Sequence, residues 1–242
     1  MRYIKWMHFL SLDVAFGALL FQWYFSQLFL SEHPSLPHVC ILFTTIWCIY
    51  LVDRQIDFKL QAPVDERHVF QFRQQKWMFY LIVGLLILSF ILLFFLPLGI
   101  ISLGCLLSGA IAVYWFIWCK GWFGNFLASK EVFTAFFYCS GVCLLTFYQV
   151  GISLRFALYF LFFFFIVLHH LLLFSSLEKP FWVNLTYFCK VIEGLFVIML
   201  GIVFFLFKGE NEWWNLCPFV LTFCIQVWIH YFAFSFKSRV IG

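Results

Sequence analysis

The sequence predicts an all-α fold: a polytopic transmembrane bundle of about eight helices, read as one integral membrane domain over residues 1–242. Three observations predict it. Only 11% of the residues are charged, 65% are hydrophobic and the mean hydropathy is +1.00, whereas a soluble domain carries about 25% charged residues. The apolar residues gather into runs near 10–30, 37–53, 77–97, 99–119, 131–151, 155–176, 181–207 and 214–236. Most of these approach the roughly 20 residues that cross a hydrocarbon core of about 30 Å. Finally, of fifteen Lys and Arg, twelve fall on one side of the implied topology. Only Arg155 and Lys208 fall on the other, and Lys190 lies within a run. Positive charge collects on the cytoplasmic side of membrane proteins, so both termini are expected there.

The elements follow in order. Residues 1–20 have a basic end and an apolar run, as a signal peptide would. Asp13 interrupts that run and no A-x-A cleavage pattern follows, so 10–30 is expected to remain as a helix. Asp13 itself is expected to sit at the interface. The second run is short and ends at "YLVD" (50–53). A polar link, 53–76, carries four of the eleven acidic residues, and a long link inside a compact domain is often functional. Pro97 and Gly99 then punctuate a tight hairpin between the third and fourth helices.

Polar residues within the later runs need separate accounts. Lys190 and Glu193 stand three residues apart in the seventh run, and intramembrane charges are costly and functional by default. They read either as a mutually neutralised pair facing the interior or as the lining of an upper cavity. Adjacent His169 and His170 point about 100° apart on a helix; they read as satisfied polar residues near an inner helix end. Nothing in the spacing asks for His38 or His230 as partners. The run "FLFFFFIV" (160–167) is expected to face lipid, because four consecutive Phe cover every side of a helix. The nine Cys contain no CxxC; Cys105, Cys139, Cys143, Cys189 and Cys224 lie in apolar runs and are expected to act as small buried hydrophobes. P-loop, H-E-x-x-H and nucleophile-elbow patterns are absent, and the basic residues lie where topology requires, which argues against nucleic acid as a partner.

The chemistry concentrates at "YLVDRQIDFKL" (50–60). Asp53 and Asp57 have i, i+4 spacing, so on a continuing helix they share a face and repel unless a cation lies between them. Mg²⁺ is commonly held by one or two carboxylates together with substrate phosphates. Arg54, Arg67, His68, Arg73 and Lys76 lie close enough in sequence to grip the remaining phosphate oxygens. The alternative is a solvated loop whose Asp and Arg neutralise one another.

The stretch "WCIYLVDRQIDFKLQAPVDERH" (47–68) resembles the first aspartate-rich motif of the UbiA-type intramembrane prenyltransferase superfamily. In that family the motif closes the second membrane helix and opens a cytoplasmic loop. The resemblance implies a UbiA-like bundle in a bacterial inner membrane and Mg²⁺-dependent transfer of a prenyl group from a prenyl diphosphate to a lipophilic acceptor. Asp53 and Asp57 would hold the metal, and Arg54 and Arg67 the diphosphate. The sequence departs from the pattern in two ways: Val52 and Gln61 stand where the family has Asn and a third Asp, and "HHLLLFSSLEKPFW" (169–182) offers only Glu178 in place of a second aspartate motif. Glu178 is therefore a weaker metal candidate, and Lys130, in "SKEVF", a weaker diphosphate-binding one. A non-catalytic relative binding a membrane lipid or a partner protein comes second. A small-solute transporter built on Lys190 and Glu193 comes third.

Overall fold

A computed structural model describes the backbone of residues 10–60, 66–120, 128–178, 183–206 and 213–241, with side chains over 10–56, 69–70, 72–120, 130–173, 175, 187–203 and 215–231. The described residues are helical and contain no strand. The helices are α1 (Leu12–Leu30), α2 (Leu36–Leu60), α3 (Glu66–Arg73), α4 (Gln75–Leu93), α5 (Leu98–Cys119), α6 (Ala128–Val150), α7 (Leu154–Glu178), α8 (Val183–Leu206) and α9 (Trp213–Ile241). Each apolar run of the sequence becomes one long helix. The polar link also proves largely helical, since α2 runs on past Asp53 and α3 occupies Glu66–Arg73.

Five helices among the described residues are long and apolar enough to cross a membrane: Leu36–Ile56, Gln75–Leu93, Leu98–Cys119, Lys130–Val150 and Leu154–Leu173. Lipid leaves no water to pair with backbone amides, so an apolar segment must satisfy its own backbone as a helix. Local chemistry sets the ends. Pro97 precedes α5, where its missing N–H costs nothing. Gly99 admits the ring of Tyr148, with which a Cβ would collide. Gly151, at φ +72°, closes α6 in the left-handed region and donates its N–H to Phe147 O at 2.9 Å. Ser153 then caps α7, its Oγ accepting from Phe156 N at 3.1 Å.

The residues group into two compact units. The first comprises 1–125 and 140–152; the second comprises 126–139 and 153–242, so α6 contributes to both. In the first unit α2 packs against α1 and α4, and its core contains Cys48, Leu51, Met78, Ile82 and Leu85. Phe70 of α3 packs on that core, which ties the polar link to the membrane helices. Ser89 donates to Thr44 Oγ1 at 2.9 Å, and Thr44 donates in turn to carbonyls of its own helix. This polar contact joins α4 to α2. Such interhelical bonds matter in lipid because no hydrophobic force drives apolar helices together there.

In the second unit α7 is the centre, packed against α8 and α9. Its Phe run divides between interior and periphery, so the lipid-facing expectation holds only in part: Phe162 and Phe163 are fully buried and Ile166 nearly so, while Leu161 is exposed and Phe164 and Phe165 are half-buried. Phe162 meets Phe196 edge-on at 5.2 Å, and Phe163 meets Tyr138 at 6.0 Å. Two neighbouring helices cover adjacent sides of α7, so Phe162 and Phe163, neighbours in sequence, are both inside. All nine cysteines are free. Cys139, Cys143 and Cys189 are buried as expected, whereas Cys105 and Cys224 are exposed on the outer faces of α5 and α9.

Candidate functional site

The last turns of α2 and the first turns of α4 frame an open groove of about 540 Å³. Its walls are Val52, Gln55, Ile56, Gln75, Lys76, Phe79, Tyr80 and Ile82. One end is polar, with a cation and two amides; the other is aromatic and aliphatic. Residues 52, 55 and 56 form one strip of α2, and Asp53 and Asp57 lie on the next strip round, about 100° away. The helix is continuous through Leu60, so the two aspartates have true i, i+4 spacing on one face. Asp53 is thus one position along from Val52 of the groove wall. Their donor set, two hard carboxylates one turn apart, suits Mg²⁺.

Arg54 is held by its own helix. Its Nη2 donates to Tyr50 Oη at 2.8 Å and its guanidinium lies 5.1 Å from the Tyr50 ring. Asp53 is half-buried and engaged. The side chains of Asp57 and Arg67 lie outside the described residues, although the backbone places Asp57 on α2 and Arg67 on α3. Lys76 reaches the groove wall from the first turn of α4.

The remaining candidates belong to the second unit. Glu178 is the last residue of α7, and its side chain lies outside the described residues. Lys130 stands near the start of α6 beside Glu131, whose Oε1 accepts from Ser175 Oγ at 2.6 Å. Lys190 and Glu193 do not form the inward-facing pair that their spacing allows. Lys190 is exposed, while Glu193 turns inward from an unbroken α8.

There Glu193 meets two histidines. Its Oε1 lies 3.2 Å from His169 Nε2 of α7 and 2.9 Å from His230 Nδ1 of α9. His169 is fully buried and His230 nearly so. The other ring nitrogen of His169, Nδ1, lies 3.3 Å from Gln226 Oε1. An aromatic layer adjoins the cluster: Phe223 stacks on Phe196 at 3.8 Å and lies 5.2 Å from the His169 ring. Three helices thus converge on one carboxylate.

This convergence had a signal in the sequence. On α9 the buried positions are Leu216, Phe219, Phe223, Gln226 and His230, separated alternately by three and four residues. The same alternation on α7 runs Tyr159, Phe162, Ile166, His169 and Leu173. It is the spacing of a helix seam, and each seam carries a histidine. Reading His169 against its neighbour His170 hid this; reading it against the seam exposes it.

The chain matches no model of a known protein family, no curated protein and no solved structure.

Proposed function

We propose that this integral membrane protein handles a lipid diphosphate at the α2–α4 end of its first unit, as a Mg²⁺-dependent prenyltransferase of UbiA-like type. The observation that carries the reading is the groove, polar at Gln55, Gln75 and Lys76 and apolar at Phe79, Tyr80 and Ile82, beside a helical turn that bears Asp53 and Asp57. A prenyl diphosphate has this division into an anionic head and a hydrocarbon tail.

In this reading Lys76 meets phosphate oxygens as a point charge, and Arg67 adds a fork from α3. Arg54, propped against Tyr50, keeps positive charge beside the carboxylates. Asp53 and Asp57 hold Mg²⁺, which supplies charge neutralisation for a departing diphosphate, commonly the largest electrostatic contribution to such a step. Phe79 and Tyr80 line the path of the tail and offer ring faces to positive charge that develops on the allylic carbon, worth about 0.5–2 kcal/mol each. The Lys/Arg distribution supports a cytoplasmic position for this end, from which a soluble diphosphate product would leave.

A second reading has an observation of its own. Lys76 lines the groove beside the amides of Gln55 and Gln75, a set that suits a lipid phosphate bound without metal or turnover. Metal dependence separates the two. Purified protein is offered labelled geranylgeranyl diphosphate with and without Mg²⁺, beside Asp53→Asn/Asp57→Asn. Mg²⁺-dependent binding and diphosphate release, both lost in the variant, is the expected result. Binding that survives chelation and the double substitution but fails in Lys76→Ala would establish the non-catalytic lipid binder instead.

A further inference from the structure

The geometry points to a second site of different chemistry: His169, Glu193 and His230 form a binding site for a divalent first-row transition metal such as Zn²⁺, within the helices of the second unit. The inference does not rest on the diphosphate reading. The three residues come from α7, α8 and α9, and one donor atom of each lies within 4.8 Å of the others. Two imidazole nitrogens and a carboxylate oxygen are a donor set that binds Zn²⁺ with a fourth position left open. Bonds of about 2.0–2.1 Å in a tetrahedron put neighbouring ligand atoms about 3.4 Å apart. The His169–Glu193 and His230–Glu193 separations, 3.2 and 2.9 Å, are near this. Small side-chain shifts would admit the ion. The third pair, the donor atoms of His169 and His230, lies within 4.8 Å, and these two rings would close on the ion.

Proton placement at His169 supplies a second argument. With Gln226 Oε1 accepting from Nδ1–H, a neutral His169 presents a bare Nε2 to the carboxylate. Two acceptors then face each other across 3.2 Å inside an apolar bundle. A proton between Nε2 and the carboxylate relieves this as an ion pair or as a carboxylic acid donating to the ring; a metal ion relieves it too and leaves Nδ1–H on the amide oxygen. That outer hydrogen bond is the usual companion of a metal-bound histidine, because it fixes the tautomer and aims the other nitrogen. Glu193 keeps 14% of its side-chain surface accessible, so the cluster is not wholly sealed. The Phe196–Phe223 stack adjoins the cluster through the His169 ring, 5.2 Å from Phe223.

A metal-free clamp uses the same atoms. If the Gln226 amide is turned so that its NH₂ faces Nδ1, His169 donates Nε2–H to Glu193 and three helices are pinned by hydrogen bonds alone. The two arrangements differ in metal content and in spectrum. Full-length protein in detergent is assayed for bound metals by elemental analysis, stripped, and titrated with Co²⁺, whose d–d bands report coordination by few ligands. The expected result is retained zinc, or another first-row metal, and intense visible Co²⁺ bands without sulfur charge transfer.

Glu193→Gln, which preserves volume and hydrogen bonding, should lose the bands while its circular dichroism stays helical. Gln226→Ala should weaken Co²⁺ binding by about 10–100-fold, and His170→Ala, at an exposed neighbour, should leave it unchanged. Folded wild type with neither metal nor Co²⁺ bands would overturn the inference in favour of the clamp. Unaltered bands in Glu193→Gln and His230→Ala together would overturn it by placing the ion elsewhere.

Discussion

The end of α2 and the junction of α7, α8 and α9 hold the polar chemistry of this chain in opposite ways. At α2, charge is dense in sequence: Asp53, Arg54 and Asp57 share five positions, with Lys76 at the start of α4. At the junction it is sparse, one ionisable group per helix, and becomes dense only when three helices pack. The first sits beside an open groove, the second inside a buried seam. A charged group near water costs little to keep, so its presence says little about structure. A carboxylate among Phe side chains persists only if partners satisfy it. The difference predicts that α2 substitutions change binding and leave stability alone, while junction substitutions change stability first.

Substitutions that break this contrast can be ordered by size. Phe196→Ala should cost most, about 3–5 kcal/mol as for a buried Phe truncated to Ala, since its ring fills the layer between Phe162 and Phe223. Reversible unfolding in mixed micelles reads it. Glu193→Ala comes next, because it orphans two buried imidazoles at about 1–3 kcal/mol for each group left unpaired. Gly99→Ala should cost about 1 kcal/mol, the low end for an overpacking change, seen as a slightly lower unfolding temperature, because the methyl displaces only the far end of the exposed Tyr148 side chain. Ser89→Ala should cost only about 0.6 kcal/mol, the average for an interhelical hydrogen bond in lipid. Asp53→Asn closes the series, with stability unchanged to within about 0.5 kcal/mol and Mg²⁺-dependent diphosphate binding lost. A large stability loss from Asp53→Asn, or none from Glu193→Ala, would erase the distinction between the two regions.

The contrast also explains what the sequence made legible. The long helices follow from hydropathy, which lipid enforces strongly: the 99–119 run and α5, Leu98–Cys119, agree within a residue, whereas α2 runs seven residues past its apolar run and α3 lies in the polar link. Which side of an apolar helix meets protein is another matter. The spans Gln75–Leu93 and Leu154–Leu173 are similarly apolar, yet 17% of the first and 50% of the second is buried inside the fold. Lipid and a protein core are equally apolar, so composition cannot separate them. The Phe run of α7, with Phe162 and Phe163 inside and Leu161 exposed, shows both surroundings within one apolar stretch. Polar residues at seam spacing do separate them, and Gln226 with His230 on α9 was such a signal. Lys190 and Glu193 illustrate the limit of local spacing: three residues apart, they point to exposed and interior surroundings.

The two regions differ most sharply in donor chemistry, oxygen carboxylates at α2 and mixed nitrogen and oxygen at the junction, and one crossed measurement tests that difference directly. Bound transition metal and Mg²⁺-dependent geranylgeranyl diphosphate binding are measured on the same preparations of wild type, Asp53→Asn/Asp57→Asn and Glu193→Gln. The expected result is a clean exchange: the aspartate variant keeps its transition metal and loses diphosphate binding, while Glu193→Gln loses the metal and keeps the diphosphate. Loss of both properties in folded protein of either variant, or of neither, would contradict two chemically distinct sites.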